Sequence, residues 1–133
     1  MAATGNYDWW IGGGKKERTS RGTAIVIRKY RGIEVEKFEE KSESISMAQI
    51  KTRIGRLTII GCHIPSDKRR QAELRKLSEA IEQKCGKNPG IILGDFNAQL
   101  GKLDGSEDEE HGIGKAIKHE HDNGNGSELR NMP

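Results

Sequence analysis

Cysteine is scarce in this 133-residue chain: Cys62 and Cys85 are the only two. Both fall in segments that read as core, so a disulfide framework is excluded and the thiols read as reduced. Long hydrophobic runs are missing as well. Nothing approaches the roughly 20 apolar residues of a membrane span, and MAATGNYDWW lacks the charged and apolar regions of a signal peptide. The expectation is an intracellular protein, nuclear or cytoplasmic, with no membrane partner. Large aliphatic residues are also few. Leu, Ile, Val and Phe make up about a fifth of the chain, close to the level at which folding itself comes into question. A dominant charge sign is absent: 32% of residues are charged, yet the net charge is only +3. That balance names no partner on its own.

The distribution of charge says more. Lys15, Lys16, Arg18, Arg21, Arg28, Lys29 and Arg31 make the first quarter basic, while Asp104, Glu107, Asp108, Glu109 and Glu110 make a later segment acidic. The basic segment is suited either to phosphates or to solvent. The length supports one domain, residues 1–133, with a core over 22–100 and an irregular loop over 101–126.

Thr23–Arg28 and Ile33–Phe38 are β-rich runs around Tyr30-Arg31-Gly32 and predict a hairpin. A third strand is expected over Ser44–Lys51, with Ile45 and Met47 on one face. Leu57–His63 is apolar on both parities, as befits a central strand covered on both sides. Pro65 ends it, and Ser66 can cap a helix beginning at Asp67. Leu74, Leu77, Ile81 and Cys85 recur at helical spacing and give that helix a narrow apolar stripe. Lys84 and Gly86 suit its C-terminus. Asn88-Pro89-Gly90 then turns into a short apolar strand, Ile91-Ile92-Leu93.

Asp95 and Asn97 follow that strand. A carboxylate and a carboxamide two residues apart leave the chain on one side; read alone, the pair is also an ordinary turn. A helical crossover between strands 57–63 and 91–95 makes them parallel, so both carboxyl ends lie at one sheet edge. His63 therefore converges with Asp95 and Asn97 where open sheets tend to place ligands. Imidazole, carboxylate and carboxamide together suit phosphodiester hydrolysis, since an imidazole can exchange protons near neutrality. A strand-end His bonded to a loop is the plainer alternative.

Gly94-Asp95-Phe96-Asn97-Ala98 after an apolar strand resembles the endonuclease/exonuclease/phosphatase superfamily, and more closely the endonuclease-like domains of retroelement-derived and craniofacial development protein 2-like sequences. Cys62-His63-Ile64-Pro65-Ser66-Asp67 resembles the proline-ended strand of deoxyribonuclease I-like members. His111-Gly112-Ile113-Gly114, and then Asn123-Gly124-Asn125-Gly126 with Leu129, resemble the segment that follows in the family. Gly12-Gly13-Gly14 and Arg21–Ile25 are similar to its glycine turn and early strand.

The resemblance implies an α/β (α+β) fold, a partial four-layer α/β/β/α sandwich of the deoxyribonuclease I-like type. It implies Asp95 activating the nucleophile, Asn97 contacting the scissile phosphate, His63 as general acid or phosphate contact, and Asn125 as a further phosphate contact. Mg²⁺ is the implied cofactor and DNA the implied partner. Only the middle of a family domain is matched. No residue corresponds to the N-terminal Asn and metal-binding Glu, or to the later Asp and the terminal Asp-His pair, so Asp95 supplies at most part of a metal site. Three functions stay open: a Mg²⁺-dependent endonuclease impaired in this chain, a non-catalytic remnant or interaction protein of the same fold, and a superfamily phosphatase. A partial sandwich is also expected to expose apolar sheet face, to melt with poor cooperativity and to bind a hydrophobic dye.

Other candidates are weaker. Glu43 can orient His63 or simply face solvent. Residues 104–110 have the wrong spacing for an EF-hand, and His111, His119 and His121 lack a zinc-binding frame. Trp9 and Trp10 can stack on a base or pack in a core.

Overall fold

The computed structural model describes residues 2–13, 22–85, 88–102, 114 and 117–132. These form a mixed α/β structure of two open sheets and two helices. β1 (Ala2–Thr4), β2 (Tyr7–Gly12) and β3 (Thr23–Arg28) make a three-stranded antiparallel sheet. β4 (Glu34–Ser42), β5 (Ile45–Thr52), β6 (Gly55–His63) and β7 (Gly90–Asp95) make a four-stranded sheet in that order. α1 (Arg70–Cys85) crosses from β6 to β7, and α2 (Gly124–Arg130) lies near the end of the chain.

The predicted hairpin of Thr23–Arg28 with Ile33–Phe38 does not form. β3 pairs with β2 and β4 pairs with β5, so the turn at residues 29–33 carries the chain from one sheet to the other. The reason lies upstream. Tyr7-Asp8-Trp9-Trp10-Ile11 alternates sides and claims β3 as its partner, Trp9 opposite Val26 and Trp10 opposite Ile25. β1 and β2 were not foreseen from sequence.

The β5 and β6 expectations hold, and β6 has the two-sided burial its apolar run implies. On one face Ile60 and Cys62, with Ile45 and Met47 of β5, pack under Leu74, Leu77 and Ala80 of α1. On the other face Ile59, Ala48 and Ile50 meet Ile25 of β3, with Trp10 and Phe38 alongside, their rings 5.6 Å apart. Each fully buried aliphatic side chain contributes about 1.5–3 kcal/mol. The described residues thus form three layers, α1, the four-stranded sheet and the three-stranded sheet. The outward face of the latter carries exposed Tyr7, Trp9, Ile11 and Val26.

α1 starts at Arg70, three residues later than expected. Asp67 stops it short: its Oδ1 accepts the Arg69 N–H at 3.0 Å, and its carbonyl accepts the Arg70 N–H at 3.0 Å. Capping therefore falls to Asp67 and not to Ser66. At the other end of that turn, Ser42 Oγ donates to Glu73, tying the end of β4 to the helix. The expected irregular loop over 101–126 is described only in part. Gly101 bridges His119, and the last three of its residues already belong to α2. The acidic residues 104–110 and His111 lie outside the described residues, as do all the basic residues of 15–21.

Candidate active site at the carboxyl edge of β6 and β7

β6 and β7 run parallel, with Ile59 opposite Ile91, Gly61 opposite Leu93 and His63 opposite Asp95. Parallel partners point to the same side, so the His63 and Asp95 side chains leave one face at the carboxyl edge. The ladder continues one step further, the Ile64 N–H donating to the Asp95 carbonyl at 2.8 Å. The His63 N–H is fixed from the other side by the Ser44 carbonyl at 2.9 Å. Glu43 is the exposed residue just before Ser44 in the β4–β5 turn. Close packing of β7 depends on Gly94, where a Cβ would fall onto the Cys62 carbonyl.

Asp95 is exposed and turns back on its own loop, its Oδ1 accepting the Asn97 N–H at 2.8 Å. Asn97 adopts φ 47°, a left-handed conformation in which Asn is favoured among non-glycine residues. Its Nδ2 donates to the Ile64 carbonyl at 2.8 Å, so the loop after β7 is stitched to the loop after β6. The turn reading of Asp-x-Asn is thus realised, and it leaves both side chains at the carboxyl edge.

Two further asparagines complete the frame. Asn125 is buried, and its Nδ2 reaches the Phe96 carbonyl at 2.8 Å and the Pro65 carbonyl at 3.3 Å. Its amide nitrogen is therefore committed to backbone. Asn123 caps α2: its Oδ1 accepts from Gly126 N at 2.8 Å and Gln99 N at 3.1 Å, and its Nδ2 donates to the Asn97 carbonyl at 3.0 Å. Gly126 is required here, since a Cβ would strike the Gln99 carbonyl. Three segments distant in sequence (63–65, 95–99 and 123–126) are locked together by side-chain amides.

Sequence reasoning missed Asn123, although an Asn before Gly-Asn-Gly-Ser-Glu is an N-cap signal. It also missed the Asp122–Arg130 pair. Arg130 Nη2 lies 2.9 Å from Asp122 Oδ1 and donates to the Gly101 carbonyl at 2.7 Å, while Asp122 Oδ1 accepts the Gly101 N–H at 2.7 Å. Arg130 and the Gly101 amide together hold the Asp122 carboxyl down at about 2. No regular spacing announces that pair. Arg70, at the first turn of α1, lies against Gly124 and lines a cleft with Ser66, Asp67 and Lys68.

Behind the edge, the Cys62 thiol is pushed up to about 11, first by burial and then by the negative charge of Asp95. Cys62 is therefore a protonated core thiol, as expected; the Cys85 side chain lies outside the described residues. Trp10 packs between the sheets, and Trp9 is on the outward face.

Among the described residues the donors around Asp95 do not complete a Mg²⁺ site. Among the described residues no three His, Cys, Asp or Glu side chains are grouped to hold a metal. Mg²⁺ takes oxygen ligands, and one oxygen of Asp95 already accepts a backbone N–H. Compared with known proteins, the chain matches no family model, and a search of characterised proteins found no match.

Proposed function

We propose that this chain is a phosphodiester-cleaving domain of the endonuclease/exonuclease/phosphatase type, acting on nucleic acid with low efficiency. The observation that carries this reading is the pairing of His63 with Asp95 at the carboxyl edge, with Asn97 pinned beside them. The partial four-layer deoxyribonuclease I-like sandwich is part of the same proposal.

In this reading the Asp95 oxygen not bound to Asn97 takes a proton from the attacking water. The water oxygen bonds to phosphorus, the bond to the leaving oxygen breaks, and His63 gives that oxygen its proton. The second amide proton of Asn97 would face a non-bridging oxygen, and Arg70, which lies against Gly124 next to Asn123 and Asn125, would add positive charge. Asn125 acts as a positioning residue here, because its amide holds the Pro65 and Phe96 carbonyls. Mg²⁺ would neutralise phosphate charge, but the described residues do not complete its site, and no step is routed through it.

That shortfall favours a second reading, a non-catalytic domain that keeps the fold and the edge. Nicking of supercoiled plasmid by the full chain with Mg²⁺, beside Asp95→Ala and a chelator control, separates the two. Nicking lost in both controls supports the enzyme; no nicking by folded protein overturns it in favour of the second reading.

A further inference from the structure

The opposite end of the four-stranded sheet has a chemistry of its own. β6 spans nine residues, from Gly55 to His63, which puts this end roughly 30 Å from the catalytic edge. Two chain reversals meet there, residues 29–33 between β3 and β4, and residues 52–55 between β5 and β6. They are in contact: the Arg53 side chain lies across Gly32, where a Cβ would come within 2.6 Å of its Cγ. Gly32, Ile33, Glu34, Lys51 and Arg53 line one shallow cleft.

Each reversal presents an apolar side chain at its tip. Ile54 is 99% exposed and Tyr30 67% exposed. The Ile54 tip is rigid, because Thr52 Oγ1 donates to the Gly55 carbonyl at 2.7 Å and accepts the Ile54 N–H at 3.3 Å. Hairpin tips usually carry Asn, Asp or Gly, so an isoleucine held there in water does nothing for the fold. Beneath the tips Ile27, Ile33, Ile50, Leu57 and Ile59 line a cleft of about 440 Å³ between the sheets.

Around these apolar groups the charge is predominantly basic. Among the described residues, Arg28, Lys29, Arg31, Lys51, Arg53 and Arg56 gather here with the acids Asp8, Glu34 and Glu36. Asp8 is 3.5 Å from Lys29, and Glu36 is 2.8 Å from Arg56. Arg28, Arg31 and Arg53 form no ion pair with a described residue. Apolar tips inside a collar of arginines complement an interface that is apolar below and anionic at its surface.

We propose that this end docks on an anionic lipid surface, with Ile54 and Tyr30 entering the headgroup layer and Arg28, Arg31 and Arg53 meeting the charged headgroups. The proposed association is peripheral, through two loop tips; no helix among the described residues is long and apolar enough to cross a membrane. It is independent of the catalytic reading. A nucleic-acid duplex would use the arginines but gains nothing from a buried Ile54.

The test is co-sedimentation of the full chain with phosphatidylcholine vesicles, with and without phosphatidylserine, beside a titration with short duplex DNA. Binding is expected only to the phosphatidylserine vesicles, and it should weaken as salt is raised. Ile54→Ser should lower that affinity about tenfold, and the triple change R28Q/R31Q/R53Q about a hundredfold. Thermal melts of the variants should match the parent, since these side chains pack little. Equal binding to neutral vesicles, or unchanged vesicle affinity in Ile54→Ser, overturns the proposal. So does duplex binding that Ile54→Ser leaves intact in a protein that ignores vesicles.

Discussion

Asp95 lies directly across the parallel β6–β7 ladder from His63, and its carbonyl takes the next ladder bond from the Ile64 N–H at 2.8 Å. The side-chain and main-chain halves of Asp95 thus do separate jobs. The backbone joins the two strands at their carboxyl ends, and the carboxylate shapes the loop that follows. Any variant at this position has to be read on both counts.

Asp95→Asn keeps an oxygen to accept the Asn97 N–H but removes the proposed base. It should retain the parent's melting temperature while lowering any plasmid nicking by about 10²–10⁴-fold, the usual worth of a general base. Asp95→Ala should lose the turn as well and melt below Asp95→Asn. Parallel nicking and melting measurements separate charge from turn.

Asn123 satisfies two N–H groups and one carbonyl across two loops. Asn123→Ala should destabilise the protein by about 2 kcal/mol, read as a drop in urea stability, combining a lost cap with newly unsatisfied amides. Asn123→Asp should fall between the two, since it keeps the acceptors and loses the donor to Asn97.

Asp122 gives a pH dependence of known sign. Its carboxyl is held at about 2 against an ordinary 3.8, so its pairing with Arg130 stabilises the fold fully above the ordinary value. That contribution fades as pH falls from 3.8 towards 2. The melting advantage of the parent over Asp122→Asn should therefore be constant near neutrality and vanish across that acid window.

Cys62 should resist alkylation in the native protein. With its thiol raised from 9.0 to about 11, the thiolate fraction at neutral pH falls about a hundredfold, and burial slows access further. Asp95→Asn removes the second cause of the shift and should accelerate modification, followed by mass mapping that resolves Cys62 from Cys85.

Tyr7, Trp9, Ile11 and Val26 share the outward face of β2 and β3, and Ile91 and Leu93 are exposed on β7. A hydrophobic dye should bind the native chain, and its thermal transition should be broad. A sharp transition with a silent dye would contradict this.

Much of the half of the fold that carries the carboxyl edge was legible in sequence because its signals are local. The two-parity run of β6, the stripe Leu74-Leu77-Ile81 and the Asn88-Pro89-Gly90 turn dictate strand, helix and strand. A helical crossover between two strands of one sheet then makes them parallel. His63 converging on Asp95 follows from that, while their exact register is seen only in the structure. The β3–β4 pairing was misread because a short loop between two β-rich runs looks the same whether the strands pair or part. What decided it was competition from β2, a partner whose claim is long-range.

Sequence by itself determined that β6, α1 and β7 form and that an imidazole, a carboxylate and a carboxamide meet at one edge, since spacing and turn chemistry act within a few residues. Only tertiary structure decided that Asn123 and Asn125 hold that edge together, that Asp122 pairs with Arg130 across Gly101, and that Ile54 and Tyr30 share one basic end. These depend on side chains meeting backbone from distant segments: Phe96 and Met132 pack on the cluster under α1 beside the asparagine frame, while the two sheets close over Ile25, Ala48 and Ile50.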